Sequence, residues 1–460
     1  MNICHRYNKR IGQAISWICF FLYFLALNLS YLTVLAEKVE PFQKQVSGIK
    51  LGIGFVAASA LHWFWRRLDG ERPSVFLYGI IFLIMFIPLT VIYGLQDYST
   101  FYFLLIAAGM GLVLLLLTIT ATAPGEKVRR IGVIQSFDWL LPLCSGALLT
   151  GLSVFFIFTH GLPSTKAFNI YAVYDLRGSG FFIHSRYLNY LFSWSSRILL
   201  PFVLAVCLME RRHAGVLLFT LIGLAFYLYS GEKIILFSLV PIFGIYLCIR
   251  LGITGFHLCS LISAGLAGIC FLGMRGWENL YSLFIRRILF IPANLKFLYY
   301  DFFTGHKKIG LAGTLWGSLL GIEHPYPEGE GVIISKYFFH NDAMNSNTGF
   351  MAEGYYRFGI GGIFLSFVVL FFLLILIDRL ALKTSAAFAV LFSICPIYML
   401  NDGSLIDSLI FGPLTLFLFL ILFYHRSNTQ GALYERHSLL ERDSNRRPAF
   451  PYTERSRTKS

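Results

Sequence analysis

The chain has 460 residues, 57% of them hydrophobic and only 13% charged, with a formal net charge of +14. A soluble globular domain carries about twice that charged fraction, so composition excludes one. Stretches of about 20 apolar residues suit the roughly 30 Å hydrocarbon layer, where backbone polar groups must be satisfied internally. The expected fold class is therefore an all-α polytopic membrane protein.

In chain order, about twelve spans are predicted: 12–35, 49–65, 75–95, 100–121, 138–159, 187–209, 214–230, 234–250, 254–273, 350–377, 384–400 and 406–424. The second, seventh, eighth and eleventh are short. VLAE at Val34–Glu37 imitates a signal-peptidase site, but the long apolar stretch before it reads as an uncleaved anchor. Residues 1–424 form one transmembrane domain in this scheme. Residues 425–460 form a basic tail, polar enough to be disordered and suited to touch anionic membrane lipid. The tail has no nucleic-acid motif, and no nucleic-acid partner is expected.

Lysine and arginine in short loops set the orientation. With both termini cytoplasmic, the inner loops carry Arg66, Arg67 and Arg72, then Lys127, Arg129 and Arg130, then Arg211 and Arg212, Arg250, and Arg379 with Lys383. The outer loops QDYST and NDGSLID have neither residue type. Two long segments then face outward, Gly161 to Arg186 and Arg275 to Gly349. Long connections of this kind tend to be functional. The eight cysteines lie in or beside apolar spans or near the N-terminus. They have no CxxC or ligand spacing, so neither a structural disulfide nor a cysteine metal site is expected.

The outward segments hold basic residues on the side where they are disfavoured. The first carries Lys166, Tyr171, Tyr174, Asp175, Arg177, His184 and Arg186. Arg197 follows about ten residues into the sixth span, roughly 15 Å along a helix axis. A charge there is a functional candidate, with pairing to a buried acid as the alternative. In YSGEKIILFS, Glu232 and Lys233 either pair with each other or leave Lys233 to enter a cavity. FIRRILFIPANLKFLYYDFF, Phe284 to Phe303, carries Arg286, Arg287 and Lys296, shortly after Arg275. Adjacent arginines on a helix point about 100° apart, so one can face a pocket while the other snorkels to headgroups. Pro292 is expected to bend or end that helix.

The block from Phe338 to Gly362 packs His340, Asn341, Asp342, Asn345 and Asn347 just before a span. Glu353 and Arg357 follow at i,i+4 spacing on one helix face, where they can neutralise each other. FGIGG favours close helix packing. There is no phosphate loop and no DxD-type metal pair; EGE at Glu328–Glu330 is a weak imitation. No metal and no other cofactor is expected.

Many outward cations, few metal ligands and a cavity at the membrane surface suit a lipid diphosphate, which arginine grips bidentately. In glycosyl transfer from a polyprenyl diphosphate sugar, arginines would stabilise the charge growing on the leaving group. The acceptor hydroxyl would call for a base, with His340, Glu353 and His324 as candidates in that order.

The order of YDLRGSG, SGEKIIL, RRILFIPANLKFLYYDFF and NSNTGFMAEGYYRFGIGG resembles the O-antigen polymerases, or oligosaccharide repeat-unit polymerases, over roughly residues 150–365. That resemblance implies a GT-C-type fold and metal-independent transfer of a growing glycan from undecaprenyl diphosphate onto a lipid-linked repeat unit. The reaction would take place at the periplasmic face of a bacterial inner membrane. It places Arg177, Arg186, Arg275, Arg286 and Arg287 in regions that the family uses for substrate binding and catalysis. A chain-length regulator and a repeat-unit flippase are the implied partners. HND at His340–Asp342 resembles the related O-antigen ligases instead, which use the same donor with a lipid A core acceptor. A flippase or transporter is the distant alternative, although no internal repeat is evident.

Overall fold

The structure is a computed structural model describing residues 2–38, 42, 44–122, 139–163, 186–342, 344–410 and 412–424. Among the described residues every regular element is helical. In chain order these are α1 Asn2–Ser30, α2 Gly48–Trp65, α3 Pro73–Ile81, α4 Ile87–Leu95, α5 Thr100–Thr122, α6 Leu140–His160, α7 Arg186–Trp194, α8 Leu200–Met209, α9 His213–Ser230, α10 Lys233–Arg250 and α11 Gly255–Met274. Next come α12 Glu278–Tyr281, α13 Ile291–Gly305, α14 Leu315–Leu319, α15 Glu330–Phe339, α16 Phe350–Lys383, α17 Ala386–Met399, α18 Leu405–Ile410 and α19 Pro413–Phe423.

Eight stretches are long and apolar enough to cross a membrane: Ile11–Leu35, Pro73–Leu95, Thr100–Thr120, Leu140–His160, Tyr187–Met209, His213–Ser230, Gly255–Met274 and Phe350–Lys383. The chain is a polytopic helical membrane protein. The other four predicted spans are also helical, as α2, α10, α17 and the α18–α19 pair, but fall outside that set.

Local chemistry explains several boundaries. Ser47 and Ser385 cap α2 and α17 by accepting hydrogen bonds from the Lys50 and Phe388 backbone N–H groups. Pro73 opens α3, where a missing N–H costs no hydrogen bond. Gly231 adopts a left-handed conformation, φ 62°, and turns the chain from α9 into α10.

The helix ends are tied together in two layers. At one end, Asp378 of α16 accepts from Arg72 Nε at 3.0 Å and Nη2 at 2.8 Å, and from the Ser74 N–H at 2.9 Å. Arg72 Nη1 also donates to the Leu117 carbonyl at 3.2 Å, bringing α5 into the same knot. At the opposite end, Lys50 pairs with Asp97 at 2.7 Å, and the Tyr98 hydroxyl donates to Asn294 Oδ1 at 2.8 Å.

The segment 275–349, expected as a long loop, is mostly helical. A stretch of wide π-helical turns, Ser282–Phe290, joins α12 to α13 without a break. Pro292 does not end this helix. It lies in the first turn of α13, directly after the wide turns, and the helix runs on to Gly305. Ten of the fifteen residues of α13 are buried, from Pro292 to Phe303, so this helix is packed into the body of the protein.

The glycines of FGIGG allow close packing of helical segments, as expected, and the two segments are the halves of α16. Gly359 has φ 69° and ψ −148°, which kinks α16 sharply. The kink folds the chain until a Cβ on Gly362 would lie 2.0 Å from the Gly354 carbonyl oxygen. The backbone carbonyls of Tyr356 and Arg357 then accept from the Ile309 and Gly310 N–H groups, at 3.0 and 3.1 Å.

Candidate functional site

A polar cavity of about 750 Å³ opens at the end opposite the Arg72–Asp378 knot. Its charged lining comprises Arg197, Glu232, Arg287, Glu330, Asp402 and Asp407. These residues come from the α7–α8 junction, the α9–α10 turn, the wide turns before α13, the start of α15, the α17–α18 turn and α18. The fold therefore gathers them from more than 200 residues of chain.

Both cavity arginines sit in wide helical turns. Arg197 lies in Ser195–Leu199 and Arg287 in Ser282–Phe290. Such turns place side chains off the usual helical faces and are frequent at functional sites. Arg197 lies midway along the membrane-length stretch Tyr187–Met209 and pairs with an acid, Glu232 of the α9–α10 turn, at 3.2 Å. Its Nη2 makes that contact, while its buried Nε has no hydrogen-bond partner among the described residues. Of the adjacent pair, Arg287 lines the cavity and Arg286 does not.

An apolar groove of about 410 Å³ adjoins the cavity. Ile80, Val240, Gly244, Leu261, Ile262 and Phe284 contribute to its walls. Arg197, Ile234, Ile288, Tyr398 and Met399 line both spaces and form their shared boundary. Val240 and Leu261 are 55% and 49% exposed, so the groove has an open flank between α10 and α11. An arginine thus stands where a charged recess meets an apolar one. This arrangement can hold an anionic head and a hydrocarbon chain together.

Behind the cavity lies a buried ion-pair node. Glu353 and Arg357 are 1% and 3% exposed, and Arg357 Nε donates to Glu353 Oε1 at 3.0 Å. The Ser404 hydroxyl and the Leu405 and Ile406 N–H groups also donate to the Glu353 carboxylate. Arg357 further donates to the carbonyls of Gly310 and Ala312, at 3.1 and 3.2 Å. Every strong interaction of this pair holds protein to protein. The node fixes the α17–α18 turn, which supplies Asp402, Gly403 and Ser404 to the cavity.

Lys296 is fully buried beneath the same turn. Its Nζ donates to Asn401 Oδ1 at 2.9 Å and to the Asn401 and Pro292 carbonyls at 3.3 and 3.2 Å. Burial pushes its ammonium down to about 7, partly opposed by the neighbouring Asp402. Asp402 is exposed to the space of the cavity but closed in by protein around it. That enclosure raises its carboxyl above the usual carboxylate range, with Arg197 and Lys296 pulling the other way. No sequence argument singled out Asp402; its only signal was a carboxylate in a very short turn between apolar helices.

Among the remaining predicted residues, Asn347 lines the cavity and lies next to Asn345 against Gly331. His340 is exposed at the end of α15 in a left-handed conformation, φ 51°, and neither it nor the exposed Asn341 is in the cavity wall. His324 Nδ1 lies 2.7 Å from the Tyr326 carbonyl oxygen, also away from the cavity. Arg275 is exposed, with its guanidinium 5.2 Å from the Phe271 ring centre. Tyr174 and Arg177 lie outside the described residues, as do the side chains of Arg186 and Lys233. Among the described residues, no three His, Cys, Asp or Glu side chains are grouped as a metal would require. Comparison with family models, curated proteins and solved structures finds no match.

Proposed function

We propose that this protein is a polyprenyl-diphosphate-dependent glycosyltransferase of the O-antigen polymerase kind. It would join lipid-linked oligosaccharide repeat units at the periplasmic face of a bacterial inner membrane, with both termini cytoplasmic. The observation that carries this reading is the shared boundary at Arg197. A polar cavity with two arginines meets an open-sided apolar groove there, as an amphiphile with an anionic head and a long chain would require.

In this mechanism the lipid diphosphate binds with its oxygens toward Arg197 and Arg287 and its chain along the groove. As the bond from the anomeric carbon to the diphosphate breaks, charge accumulates on the departing oxygens. Guanidinium groups placed in advance at the leaving oxygens stabilise that charge. Glu232 orients Arg197 and leaves its Nε available. The acceptor sugar would occupy the carboxylate-lined part of the cavity beside Asn347. A flippase would supply the substrate and a chain-length regulator would act on the product.

The test is purified protein reconstituted with an undecaprenyl-diphosphate-linked repeat unit. Wild type is expected to form dimers and longer chains. Arg197→Ala and Arg287→Ala should each lower the rate by roughly 10²–10³. Transfer only to a lipid A core would make the enzyme a ligase. Passage of the lipid across the bilayer without any bond formation would make it a flippase.

A further inference from the structure

We infer that Asp402 is the general base that takes the proton from the acceptor hydroxyl, an assignment that rests on the proposed transfer reaction. The cavity offers four carboxylates, and three are already engaged. Glu232 holds Arg197 at 3.2 Å. Glu330 accepts the Tyr356 hydroxyl at 3.0 Å and lies 3.9 Å from Arg357. Asp407 stands 3.5 Å from Arg357. Asp402 has no ion pair within 4 Å among the described residues and faces the open space beside Arg197. Glu353, a candidate base in the sequence, cannot do this work because its oxygens are occupied by Arg357, Ser404 and two backbone N–H groups.

Its placement suits a base. The α17–α18 turn is held from two sides, by the Glu353 node and by Lys296 through Asn401, so the backbone that carries Asp402 has a fixed position. The charged groups facing it are Arg197 from the α7–α8 junction, Lys296 from α13, Glu232 from the α9–α10 turn and Arg287 from the wide turns before α13. Tyr398 from α17 and Asp407 from α18 complete this environment. Enclosure raises its affinity for a proton above that of a free carboxylate, as a base requires, and Arg197 and Lys296 oppose that rise.

The step balances without a co-reactant. The acceptor O–H proton passes to Asp402, and the acceptor oxygen bonds to the anomeric carbon. The bond from that carbon to the diphosphate oxygen breaks, and its electron pair leaves with the diphosphate. Asp402 then releases the proton to water in the cavity.

The experiment uses the full-length reconstituted protein and the lipid-linked repeat unit. Asp402→Asn should lower kcat by about 10²–10⁴ while donor affinity stays within threefold. Asp402→Ala should regain activity with added formate, which a merely structural aspartate would not show. Lys296→Met removes a cation beside Asp402, so the acidic limb of the pH–kcat/KM profile should move to higher pH. A kcat within threefold of wild type in Asp402→Asn overturns the assignment and leaves the transferase reading intact. So does an acidic limb unmoved in Lys296→Met together with no formate rescue. Absence of transfer by wild type overturns both.

Discussion

Glu353 and Arg357 illustrate how one pair of residues can be read correctly in spacing and differently in role. The i,i+4 spacing placed them on one helix face, and they do meet at 3.0 Å. Both are buried, and both are saturated by protein groups rather than turned to the cavity. Glu353→Gln leaves the Arg357 guanidinium with a weakened counter-charge in a buried site. A loss of about 3 kcal/mol is expected, measurable by denaturant titration of the detergent-solubilised protein. Arg286 and Arg287 separate more sharply. Because only Arg287 lines the cavity, Arg287→Ala should impair transfer by at least tenfold more than Arg286→Ala in the same assay. A helical wheel cannot make this choice, since it assumes 3.6 residues per turn and these residues lie in a nine-residue stretch of wider turns.

The elements were legible wherever hydrophobic length speaks, and obscure where backbone geometry departs from the α-helix. Apolar runs located the spanning helices within a few residues. They could not show that 275–349 folds into packed helices, because a buried amphipathic helix of fifteen residues resembles an aromatic surface segment in composition. They did mark FGIGG as a place of close helix packing, but not that the packing joins two segments of one kinked helix, with Gly354 against Gly362. The consequence is testable. Gly359→Ala puts a Cβ at φ 69° and ψ −148°, a conformation almost restricted to glycine, and should cost about 1–3 kcal/mol. Because the kink frees the carbonyls that hold Ile309 and Gly310, protease cutting near residue 310 should also quicken in this variant.

For the whole molecule, the ties at both helix ends contribute to stability. Asp378→Asn keeps an acceptor but removes the charge that binds Arg72, and should lower stability by about 1–3 kcal/mol without touching the cavity. Lys296 gives a separate signature. Its ammonium holds its proton only to about 7 in the folded chain, against 10.5 when unfolded. Between those values the unfolded chain binds more protons, so stability should rise with pH from about 7 upward. Lys296→Met should flatten that rise, as read from melting temperatures at pH 7 and pH 9. The cavity itself was invisible in the sequence because Arg197, Glu232, Arg287 and Asp402 come together only when distant helices pack.

The open flank of the groove between α10 and α11 has a consequence for traffic. On the proposed reaction, a spent lipid carrier can slip sideways into the bilayer while the sugars remain in the charged recess. Carrier exchange and glycan retention then use different doors. Turnover should therefore depend on lateral diffusion of the carrier, and stiffening the surrounding bilayer should slow release more than it slows bond formation.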